Sequence, residues 1–167
     1  MSSAALAVGF GAMAQAPPAK PPACVSAEHR QFDFWIGRWA VFTPDGKHAG
    51  ENRIEAIDGS CALHERWRGT GGFTGTSLNH WDAVARVWRQ HWVDNQGGSL
   101  RLAGGVEGGS MVLSGSEPQA DKPGAVLRHR ISWTPLADGA VRQWWQSSQD
   151  DGKTWTTAFD GRYVRQP

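Results

Sequence analysis

A carboxylate and an indole stand two residues apart in CALHERWR, as Glu65 and Trp67, and an amide repeats that spacing with an indole twice more, as Gln90 and Trp92 in VWRQHWV and as Gln143 and Trp145 in VRQWWQS. Ser77 and Asn79 keep the same spacing in TGTSLNHW. In an extended strand residues two apart share a face, so one face of several strands mixes ring surface with hydrogen-bonding groups. A purely structural core would be richer in Val, Ile and Leu, whereas rings with a few convergent polar groups describe a small-molecule cavity. Glu65, Trp67, Ser77, Asn79, Gln90, Trp92, Gln143 and Trp145 are therefore assigned to one lumenal, ligand-binding face. The competing reading is a filled barrel whose buried polar groups satisfy one another. Glu65 is the only acid on this face; burial among indoles raises a carboxyl pKa and suits it to general acid/base work, with Asn79, Gln90 or Gln143 orienting a substrate. A salt bridge to an arginine such as Arg128 or Arg130 is the structural alternative.

Other chemistries find little support. The six histidines, His29, His48, His64, His80, His91 and His129, form neither H-x-H nor H-E-x-x-H, and the two cysteines form no C-x-x-C, so no metal site and no cofactor are expected. No nucleophile elbow, P-loop or dinucleotide fingerprint occurs. The run Ser148 to Trp155, SQDDGKTW, matches the Asp-box of sialidase propellers. A single copy reads as a hairpin, with Asp and Gly making the turn and the tryptophan packing beneath it.

The elements that must position these residues are short strands. The 167 residues suit one domain, and a formal charge of +1 builds no field for nucleic acid. The 21 glycines punctuate short apolar runs, and the 10 tryptophans exceed what a small core absorbs unless some line a cavity. Strand-like segments fall at about 38–43, 51–57, 61–68, 73–81, 87–93, 99–104, 110–116, 126–134, 140–147 and 154–164. That predicts an all-β fold, a meander of about ten antiparallel strands closed into a barrel, with a short helix or turn near 26–31. Residues 1–16 end in Ala14-Gln15-Ala16 behind an apolar run and read as an export signal, 17–25 as a Pro-rich linker and 26–167 as the domain. The apolar run is too short for a membrane span. Export to the periplasm or beyond favours a Cys24–Cys61 disulfide; a cytosolic location would favour two free thiols.

Gly37-Arg38-Trp39, opening the first strand after a short helix, resembles the G-x-W signature of lipocalins and calycins. That likeness implies a tryptophan closing the barrel floor near an arginine from a late strand. The longer block FDFWIGRW, with NHWD, WVDNQGG and DGKTW, resembles an uncharacterised family of exported bacterial proteins with a lipocalin-like barrel, over about residues 28–165. It implies a fold and supplies no catalytic set. Similar ten-stranded barrels include haem-binding nitrobindins, whose iron-ligating histidine lies near the C-terminus. The last strand here, WTTAFDGRYVR, has none, which argues against haem and leaves His91 and His129 as the alternatives. Three function classes follow: an exported binder of a small, partly apolar molecule, an enzyme in the same cavity, or a structural or interaction module.

Overall fold

Alternating sequence, broken by Gly, Asp and Asn turns, produces ten strands: β1 (Gly37–Phe42), β2 (His48–Ile57), β3 (Ala62–Gly69), β4 (Thr74–Asp82), β5 (Val87–Asp94), β6 (Ser99–Glu107), β7 (Ser110–Pro118), β8 (Val126–Pro135), β9 (Val141–Ser148) and β10 (Thr156–Arg165). This computed structural model describes residues 23–119 and 122–167. The export-like segment 1–16, and the linker as far as residue 22, lie outside the described residues. Each strand pairs antiparallel with the next, and β1 closes onto β10, so the sheet is a barrel without free edges. The expected all-β barrel is the fold. The expected helix is present as two 3-10 turns, Ala27–Arg30 and Asp33–Trp35.

Several strands outrun their sequence limits, β2 and β6 the furthest. β2 starts at His48, where a bulge next to Phe42 carries the pairing past the glycine. β6 continues through Gly104-Gly105, whose extended backbone pairs with Leu113 and Val112, and the turn shrinks to Gly108-Gly109. Cys61 sits just before β3, at the end of a 3-10 turn over Asp58–Ser60.

One end of the barrel is plugged by rings. Phe32 stacks on Trp35 at 4.9 Å between centroids and meets Trp88 and Trp133 edge-on at 5.6 and 5.2 Å. Trp39 is fully buried; its Nε1 donates to the Trp35 carbonyl at 2.9 Å, and the Arg165 guanidinium lies 4.3 Å over its ring. Gly37 is glycine for cause: its φ is +149° and a Cβ there would collide with that guanidinium. The arginine-over-tryptophan floor implied by the G-x-W likeness is thus present. Cys24 and Cys61 are disulfide-bonded, with Cα atoms 5.0 Å apart. Trp88 Nε1 donates to the Glu28 carbonyl at 3.2 Å, so the plug is tied to the wall by a covalent and a polar link.

The Asp-box run is an outer hairpin that satisfies itself. Asp150 accepts from the Thr154 amide at 2.9 Å and hydroxyl at 2.6 Å, and from Ser148 Oγ at 2.7 Å; these bonds hold its carboxyl down to about 2. Trp155 Nε1 donates to the Gly152 carbonyl, and Arg130 lies 4.5 Å over the indole. Turn chemistry accounts for the hairpin's own residues, and no glycan role is needed.

Candidate functional site

Above the plug the barrel interior opens into a cavity of about 230 Å³. Glu65 and Trp67 from β3, Gln90 and Trp92 from β5, and Gln143 and Trp145 from β9 all line it. The register explains this. Glu65 pairs with Ser77, and Ser77 with Trp92, so the inward positions of β3, β4 and β5 form a continuous row, while Gln143 and Trp145 face it from β9.

Ser77 and Asn79 are inward and buried but lie behind the cavity surface, because their short side chains stop at the hydrogen-bond layer beneath Glu65. Gln90 Nε2 donates to Asn79 Oδ1 at 2.8 Å, Asn79 Nδ2 to Ser77 Oγ at 2.9 Å, and Ser77 Oγ to Glu65 Oε2 at 2.5 Å. From the other side Asn52 Nδ2 donates to Glu65 Oε1 at 2.7 Å and lies 3.4 Å from the Tyr163 hydroxyl, which itself donates to Gln143 Oε1. Every bond on the Gln90 side points toward the carboxylate, which suits its ionised form.

Glu65 is 4 % exposed. Burial pushes its carboxyl up to about 6, and the Ser77 and Asn52 hydrogen bonds offset part of that rise. Burial, and then the adjacent Glu65 charge, raise Tyr163 well above the ordinary phenol range, so it acts as a neutral donor. The arginines considered as partners for Glu65 are elsewhere: Arg128 pairs with Asp151 at 2.8 Å and Arg130 donates to Gln146 at 2.8 Å.

Asn52 and Tyr163 complete the polar layer, and Phe73, Phe159, Leu100, Ile131 and Trp133 add apolar wall; none was among the sequence candidates. The signal for Asn52 was its phase: it alternates with Ile54 between Glu51, Arg53 and Glu55. Tyr163 likewise alternates with Phe159 and Gly161.

At the mouth the rings are held in place. The Trp92 ring lies against Gly75, where any Cβ would overlap it, and its Nε1 is 3.2 Å from Asp94 Oδ2. Trp67 meets Phe159 edge-on at 6.1 Å. Trp145 Nε1 donates to His129 Nδ1 at 3.0 Å, which leaves Nε2 as the protonated nitrogen, 3.2 Å from Glu117. Both nitrogens of His129 are thereby engaged. His91, the other histidine weighed as a haem ligand, is on the outer face of β5. Among the described residues no three His, Cys, Asp or Glu side chains gather into a metal-binding group, and no helix is long and apolar enough to cross a membrane.

In chemical terms the arrangement is a ring-walled chamber with one carboxylate, two amides and a phenol on its polar side. In comparison with known proteins, no family model and no curated protein matches this chain, so its geometry carries the functional reading.

Proposed function

We propose that this chain is an exported binder of a small, partly apolar molecule, held in the barrel cavity by Trp67, Trp92 and Trp145 and oriented by Glu65, Gln90 and Gln143. The observation that carries the reading is the meeting of these six side chains, from three strands, around one chamber of about 230 Å³. An engineered cavity of roughly 150 Å³ takes benzene, so the fitting ligand is a single substituted ring or an aliphatic of similar bulk. Ser77 and Asn79 serve as supports that orient Glu65 and Gln90. The disulfide and the A-x-A segment favour export to the periplasm or beyond. The G-x-W floor favours membership of the exported lipocalin-like family that the sequence resembles.

Binding is favoured over catalysis because, among the described residues, no nucleophile and no second carboxylate joins Glu65 on the chamber wall. The test is titration of the protein with a panel of small aromatic compounds, read by indole fluorescence. The expected result is saturable quenching that Trp145→Ala weakens. Absence of quenching across the panel, with the fold intact by circular dichroism, would refute the reading. Turnover of any bound compound, lost in Glu65→Gln, would favour the enzyme instead.

A further inference from the structure

Glu65 is the only charged residue on the cavity wall among the described residues. Its hydrogen-bond partners, Asn52 and Ser77, are neutral, and no described cation forms an ion pair with it. The groups facing it are Asn52 from β2, Ser77 from β4 and Tyr163 from β10, of which only Tyr163 titrates. His129 and Glu117, on β8 and β7, are engaged with Trp145 and with each other at the mouth. The barrel thus buries a negative charge, directs a chain of donors at it, and supplies no counter-charge.

We propose that the counter-charge comes with the ligand: the cavity takes a protonated amine carried on an aryl or short apolar group, its ammonium against Glu65 and its apolar part among Trp67, Trp92 and Trp145. This rests on the binding reading above and narrows it to a ligand class. Each Glu65 oxygen carries one recorded donor and has a second lone pair for another. Gln90 has donated its Nε2 to Asn79, so its Oε1 remains as an acceptor on the same wall. The indole faces are negative and attract a cation, most strongly when water is excluded. An anion meets repulsion from the carboxylate and from the ring faces alike. A neutral ligand brings no compensating charge to the buried carboxylate. The desolvation of Glu65 is already part of the folded state, so an incoming ammonium adds only its own.

Calorimetric titration with 2-phenylethylamine, 2-phenylethanol and 3-phenylpropionate tests this, since the three share a ring and differ in charge. The amine is expected to bind about tenfold or more tighter than the alcohol at about pH 7.5, and the carboxylate most weakly. Glu65→Gln should bring the amine to the level of the alcohol and leave the alcohol within about threefold. Should that variant not fold, the wild-type protein decides: the amine's advantage should shrink about tenfold between about pH 7.5 and about pH 5 as Glu65 takes up a proton, with the alcohol unchanged. Equal or tighter binding of the alcohol or the carboxylate, or an amine preference that survives Glu65→Gln, overturns the amine inference and leaves the binding cavity standing. Failure of all three to bind overturns both.

Discussion

Replacing Glu65 by Gln should raise stability at neutral pH relative to its effect in acid, by an amount that depends on pH in a defined direction. The carboxyl is fully buried, and its titration moves from the usual 4.5 to about 6. Ionising it in the folded state therefore carries a penalty of about 2 kcal/mol relative to the unfolded chain. Below 4.5 the group is protonated in both states and there is no penalty; above 6 the full penalty applies. Wild-type stability from this group is thus present at low pH and lost as pH rises through about 6. Gln removes the titration, and its amide can still accept from Asn52 and meet Ser77 Oγ, so the variant keeps the shape of the network. Urea unfolding of both proteins across a pH series, read by indole fluorescence with the disulfide intact, gives the difference directly. The stability of Glu65→Gln minus that of wild type should climb by about 2 kcal/mol between about pH 4.5 and pH 8, whatever its constant offset. A flat difference would refute the reasoning. A difference that falls with pH would mean that the Asn52 and Ser77 bonds outweigh burial and that Glu65 titrates below its usual range.

Trp39→Ala should cost about 3–5 kcal/mol, because it empties the floor of the plug and removes the ring beneath Arg165; a loss under about 1 kcal/mol in denaturant would show that the plug reorganises freely. Replacing Cys24 and Cys61 together by Ser should lower stability by about 3–4 kcal/mol, the loop-closure entropy for a sequence separation of 37, measured by the same unfolding; no change would mean that the other plug contacts already restrict that loop. Gln143→Leu should weaken a ligand with a polar end by about 1–3 kcal/mol in a fluorescence titration and leave a wholly apolar one unaffected. Equal effects on both ligands would place Gln143 outside the polar contact.

Much of the site was legible because strand periodicity is local. Glu65 with Trp67, Gln90 with Trp92 and Gln143 with Trp145 each declare their shared face within three residues, and the barrel closes with all three faces inward. What alternation does not give is depth. Trp88 shares its face with Gln90 and Trp92, yet it belongs to the plug, because one more inward step along β5 reaches the floor. Ser77 and Asn79 were on the right face and one layer too deep, since a short side chain beside Glu65 cannot reach past it. Asn52 and Tyr163 acquire their roles from β2 and β10, whose registers against β3 and β9 set which polar atoms meet. The β9–β10 register carries a bulge between Thr157 and Phe159, and Asn52 meets Tyr163 only because β1 closes the barrel between β2 and β10; bulges and closure are properties of the whole sheet.

The seam between β1 and β10 also bears on how the barrel forms and fails. Nine of its ten ladders join neighbours in sequence and can form as hairpins. The tenth joins Trp39 with Arg165 through Phe42 with Arg162, four pairs against eight between β2 and β3. The one ladder with a large loop-closure cost is thus also the shortest. It should zip last during folding, setting the slow step, and part first under stress. Its amides should exchange with solvent ahead of those in the hairpins. Once parted, β1 and β10 are bare edges, open to strand exchange with a second copy, so aggregation of this protein should begin at the seam.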